Sequence, residues 1–168
     1  QRPGGLEIAV NGDIMNLTPT HLHLLLNHFP VVGFGIGLGL FLIALIRRSE
    51  DLKQASLVIF FLIAVLTIPT YVTGNAAEEA IKGTAGVSDS MMSAHESAAL
   101  LGFLFMEITG LVSWLGLWQS RRLGRIAGWS VPAVLALSLV TFGLMSNAGN
   151  IGVEIRHHAP VNRVRSAG

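Results

Sequence analysis

The chain has no cysteine among its 168 residues, which removes structural disulfides, thiolate-bound zinc, cysteine-ligated iron–sulfur clusters and covalently attached c-type haem together. Any metal centre must then be built from His, Met or carboxylate. Charge is the second scarcity: 12% of residues are charged, against about 25% in a soluble domain, while 51% are hydrophobic, so the chain belongs in lipid. A net charge of +1, with no basic cluster interleaved with aromatics, gives no support to nucleic-acid binding. There is no HExxH-like spacing, the usual helical signature of a zinc hydrolase. No internal repeat or low-complexity tract stands out.

What the chain has in quantity is long apolar sequence. Four stretches, Leu22 to Ile46, Gln54 to Thr73, Ser97 to Trp118 and Ala127 to Ala148, each reach the roughly 20 residues needed to span a bilayer core. The fold class predicted is all-α: an integral membrane, up-and-down four-helix bundle over residues 18–158. An extramembrane segment, 1–17, precedes it and a tail expected to be flexible, 159–168, follows it. Within the first segment, Asn11-Gly12 between Leu6–Val10 and Asp13–Leu17 suits a type I′ hairpin, with an irregular tail as the alternative. The first apolar stretch is too long for a signal peptide, and its basic pair, Arg47-Arg48, follows it instead of preceding it. Gln1 stands where a methionine would start a chain, so a start residue or presequence is expected upstream.

The links between helices 1 and 2 and between helices 3 and 4 are short and basic, with Arg47, Arg48 and Lys53 in one and Arg121, Arg122 and Arg125 in the other. By the positive-inside rule these turns are expected to face the cytoplasm, with both termini on the outer side, which in a bacterial inner membrane is the periplasm. Trp114, Trp118 and Trp129 flank the second basic turn as an aromatic belt. The Gly74 to Met92 loop then lies outside, where AEEAIKG could form a helical turn on the bundle.

Capping chemistry sets the helix starts. Thr18 fits an N-cap with Pro19 in the first turn, and Ser93 and Glu96 have the spacing of a capping box, which puts His95 in the first turn of helix 3. Pro69 is read as a kink in helix 2 and Pro132 as a first-turn residue of helix 4.

All six histidines fall at one end of this bundle. His21, His23 and His28 open the first apolar stretch, His95 opens the third, and His157 and His158 close the fourth. At about 1.5 Å per residue, His28 lies roughly 28 Å above Arg47, His95 roughly 37 Å above Ser120 and His157 about 45 Å above Ala127. His21 and His28, seven residues apart, share a helix face, whereas His23 points about 140° away from His28. A b-type haem takes axial imidazoles from opposite faces of its ring, so His28 with His95 is the preferred pair and His21 with His157 a second one. Arg156, Arg163 or Arg165 suits a haem propionate. Each position also has a plainer reading: His21, His23 and His158 as interfacial side chains in water, His28 bonded to a carbonyl near Pro30, His95 as a helix-start residue. Zinc on His28, His95 and Glu78 or Glu79 is a further arrangement, and Met91 or Met92 a thioether donor to haem.

HLLLNHFPVVG, from His23, resembles the HPxxxHFPI signature of a family of small bacterial four-helix integral membrane proteins. The AHE of Ala94 to Glu96 is similar to that family's third-helix histidine, and GNIGVEIRHHAPV of Gly149 to Val161 to its GHLGGxLVYxHGxxV ending. The resemblance covers Thr20 to Val161 and matches at His28, His95 and His157. It departs at Leu24, where the family has proline, and at Asn150, where the family has histidine. It implies a haem-binding or redox-associated membrane protein.

Glu107 falls near mid-membrane at the height of Thr67 and Thr141, where an ionised carboxylate is expensive, so it is expected to be neutral or paired. It reads as a proton relay toward a quinone or as a structural acid bonded to the two threonines. Gly33, Gly35, Gly37 and Gly39 form two small-xxx-small pairs that suit close helix packing, and could also make room for a macrocycle.

Together these features predict a membrane-anchored b-type cytochrome subunit, exchanging electrons between an outer-face membrane or periplasmic redox partner, haem b and quinone. The alternative is a non-catalytic structural accessory subunit of a respiratory or photosynthetic complex, with or without a pigment. An outer-face metallohydrolase or quinone oxidoreductase ranks third.

Overall fold

A computed structural model describes Leu26 and residues 28–81 and 89–158. The expected hairpin, the Thr18 cap, His21, His23 and the 159–168 tail lie outside those residues. Among the described residues four long helices are present: α1 (His28–Arg47), α2 (Glu50–Ile81), α3 (Asp89–Leu123) and α4 (Ser130–His158). Each is long and apolar enough to cross a membrane, and no strand occurs among the described residues. Consecutive helices pack side by side, and α1 returns to touch α4 more thinly, an up-and-down bundle with α1 and α3 at diagonal corners.

The distribution of side chains is that of a protein solvated by hydrocarbon. Large apolar residues such as Phe29, Ile36, Leu62, Val72 and Leu111 point outward, while Thr109, Ser113, Ser138 and Thr141 are buried between helices. Lipid supplies no hydrophobic drive for helices to associate, so close approach and internal hydrogen bonds must hold them. Gly33 and Gly37 bring α1 onto Ile63, Ile59 and Phe60 of α2, Gly110 brings α3 onto Ala64, and Gly102 brings it onto Met145 of α4. The packing role expected of the helix 1 glycines therefore holds at 33 and 37, and at Gly35, which meets Phe142 of α4; Gly39 meets nothing. Phe34 and Phe60 pack with their rings tilted at 4.8 Å and Phe41 joins edge-on at 6.0 Å. The Thr109 and Thr141 hydroxyls bond at 2.9 Å across the α3–α4 interface.

The α1–α2 turn is a Schellman cap. Arg48 takes a left-handed φ of 52°, its N–H donates to the Leu45 carbonyl and the Ser49 N–H to Ala44. Ser49 then caps α2, its hydroxyl accepting the Leu52 N–H, with Glu50 and Asp51 at the positive end of that helix. After α3 the left-handed position is Gly124, φ 69°. At this basic end, Arg122 lies over the Trp118 ring at 4.5 Å and the Trp129 indole donates to Gln119.

Three boundaries differ from the sequence reading. Gly74 to Ile81 continues α2 instead of forming a separate turn in a loop. α3 starts at Asp89, so the Ser93–Glu96 capping box is not used; the Ser93 carbonyl accepts the Ser97 hydroxyl inside the helix, and His95 lies in the second turn. α4 starts at Ser130, whose N–H and hydroxyl both donate to Ala127, and it runs on to His158. Pro132 does fall in its first turn, and Pro69 lies inside α2 with its carbonyl accepting the Thr73 hydroxyl. With 32, 35 and 29 residues, α2, α3 and α4 are about 48, 52 and 44 Å long, against about 30 Å of hydrocarbon. They project beyond the core.

Candidate functional site

α3 is the helix on which the chemistry converges. Its buried stripe is mostly small, with Ala98, Gly102, Thr109, Gly110, Ser113, Gly116 and Ser120, so α2 and α4 approach its backbone closely. Three buried polar atoms without a hydrogen-bond partner belong to this helix: His95 Nδ1, Glu107 Oε1 and the Ser113 hydroxyl.

His95 sits in the projecting part of the bundle, with its ring half-buried against α4. The niche it fills is made by a glycine: a Cβ at position 152 would stand 3.2 Å from His95 Cε1 and 3.6 Å from Nδ1. Ala148, one turn earlier, gives the ring a polar contact from its main chain, but no acceptor stands at hydrogen-bonding geometry for Nδ1. A buried imidazole nitrogen in that state can serve as donor, acceptor or metal ligand, and each role needs a partner the described residues do not supply.

Glu107 lies about 18 Å deeper along α3. The register between α2 and α3 is set by Gly110 on Ala64 and by the Tyr71–Phe103 stack at 4.4 Å, and it places Thr67 opposite Glu107. The carboxyl is nonetheless not held by the threonines. Thr67 donates to the Ile63 carbonyl at 2.7 Å, and Thr141 is engaged with Thr109 and the Phe105 carbonyl. The expectation of a structural acid bonded to Thr67 and Thr141 is thus corrected: helix carbonyls four residues back, or the facing hydroxyl, satisfy these groups locally and leave Glu107 Oε1 alone.

His28 is exposed at the start of α1, on the corner diagonal to α3. Among the described residues no three His, Cys, Asp or Glu side chains gather to hold a metal, so they offer no three-ligand zinc site. Met92 is buried in the core. Arg156 and His157 lie in the last turn of α4, but their side chains, like that of Glu78, fall outside the described part, as do His21 and His23 entirely. The residue the sequence reading missed is Gly152. Its signal was available as the Ala148-xxx-Gly152 spacing, a small-xxx-small pair on the helix that closes over His95.

Over the described residues, fold and site define a four-helix integral membrane protein with a half-buried imidazole, His95, at the end opposite its two tight turns. Comparison with protein-family models, with curated proteins and with solved structures finds no match.

Proposed function

We propose that the chain is a membrane-anchored b-type cytochrome subunit, a carrier of electrons between a redox partner at the His95 end, haem and quinone. The observation that supports this reading is the buried, unpartnered Nδ1 of His95, whose ring packs over Gly152. His95 would hold the group from α3; a further imidazole would come from His28, which is exposed at the start of α1, or from His21 or His157, and Arg156 would suit a propionate. Haem, when bound, supplies one-electron redox chemistry. His95 orients and holds the group, α4 shields the ligand nitrogen from water, and Glu107 Oε1 offers a proton-holding atom at the depth where a lipid-soluble quinone travels. The basic turns support an orientation with the His95 end on the periplasmic side of a bacterial inner membrane.

One observation favours a structural accessory subunit instead. The imidazole itself fills the Gly152 niche, as a packing residue would. A visible spectrum of the purified chain separates the two readings. Reducible Soret and α bands that vanish in His95→Ala are expected for the cytochrome; a colourless, folded chain, or bands unchanged in His95→Ala, overturns it. A far-red band would instead mark a pigment-binding subunit.

A further inference from the structure

We propose that the turn between α3 and α4 binds an anionic phospholipid, with Arg121, Arg122 and Arg125 around its phosphate and its acyl chains along the outward face of α3. This site is independent of the haem reading. Arg121 and Arg122 close α3, Arg125 follows in the turn, and all three are exposed. Ile126, buried in the core, pins the turn directly beside Arg125.

The positive charge here has no counter-charge within its own turn. No Asp or Glu lies between Glu107 and Glu154 in the sequence. The C-terminus of α3 brings about half a negative charge and the N-terminus of α4 about half a positive one, so the helix dipoles cancel and the surplus stands. The α1–α2 turn at the same end is built differently. It sets Arg47, Arg48 and Lys53 against Glu50 and Asp51, and Lys53 Nζ meets Glu50 Oε1 at 2.7 Å. Gly110 on Ala64 and Gly116 on Leu57 bring the start of α2 to the height of Arg121 and Arg122. Of the two acids there, Glu50 is held by Lys53, and Asp51 lies roughly 130° around α2 from the side that faces α3. None of the five arginines at this end has an ion pair with a described residue.

The surroundings of the arginines select a lipid as the occupant. Leu111, Trp114, Trp118, Arg121 and Arg122 fall within an arc of roughly 100°, on the side of α3 turned away from the buried Gly116 and Ser120. From Leu111 to Arg121 this strip is about 15 Å long, one leaflet of a core about 30 Å thick, and Glu107 lies beyond it. Exposed apolar and aromatic side chains ending in guanidinium groups match acyl chains ending in a phosphate; a free phosphate would leave the apolar part of the strip unused. Arg122 lies over the Trp118 ring at 4.5 Å, which covers one face of its guanidinium and leaves the in-plane N–H groups for the bidentate bonds that phosphate oxygens accept. The Trp129 indole, tied to Gln119 at 3.1 Å, holds the far side of the turn at the same interface. Basic clusters in this position attract anionic lipid at about fivefold in affinity for each arginine.

Native mass spectrometry of the purified chain, released from micelles holding equal phosphatidylglycerol and phosphatidylcholine, tests the site. The unsubstituted chain is expected to retain phosphatidylglycerol in clear excess; equal retention of the two lipids overturns the proposal without any substitution. The triple variant Arg121→Gln, Arg122→Gln, Arg125→Gln is expected to lose that preference by about fivefold for each arginine replaced, whereas Arg47→Gln with Arg48→Gln keeps most of it. Equal loss in both variants overturns the assignment to the α3–α4 turn. Displacement of the bound lipid by an equal concentration of inorganic phosphate overturns it as well, because the strip along α3 would then contribute nothing.

Discussion

Arg48 carries a backbone conformation that its side chain disfavours. A left-handed φ costs a non-glycine residue about 1–2 kcal/mol, and Arg48 holds φ 52° because the Schellman hydrogen bonds and the Ser49 cap enforce it. Arg48→Gly should therefore raise the unfolding free energy by about 1 kcal/mol, read as a higher Tm in detergent, whereas Ser49→Ala should lower it by about 1 kcal/mol through loss of the α2 cap. A lower Tm for Arg48→Gly would contradict this origin of the turn. The sequence shows Arg47-Arg48 as charge and hides the strain, because nothing in a basic pair marks which residue turns left-handed. His95 is a comparable case. Its identity as a chemically able residue could be read directly, but its unpartnered Nδ1 and the glycine over it depend on how α4 is rotated, which no local pattern encodes.

The four helices themselves were legible, because about 20 apolar residues in lipid admit few other structures. Their ends were not. Apolar runs stop at the edge of hydrocarbon, while the Gly74 to Ile81 and Asp89 to His95 segments stay helical beyond it. The height match of Thr67 with Glu107 was also correct, yet the bond was not, since a threonine in a helix has its own carbonyl four residues back within reach. Thr109 and Thr141 behave differently, joining α3 to α4 at 2.9 Å while both also reach the Phe105 carbonyl. A double-mutant cycle of Thr109→Val and Thr141→Val, read by reversible unfolding in mixed micelles, should give a coupling of about 0.6 kcal/mol. Additive single effects would show the hydroxyl pair to be incidental.

At the level of the whole molecule, composition and topology agree. Large apolar side chains coat the outside, small and hydroxyl residues line the inside, and both tight turns carry arginine at one end while His95 sits at the other. That two-ended arrangement underlies the haem proposal, which requires α3 and α4 to traverse the bilayer with their polar positions at a defined height. Single cysteines on the cysteine-free chain, placed at Asp51, Arg125 and Ser93, can be labelled in sealed vesicles with a membrane-impermeant maleimide. Positions 51 and 125 should react from one side of the membrane and position 93 only from the other; labelling of all three from the same side would contradict the four-span bundle.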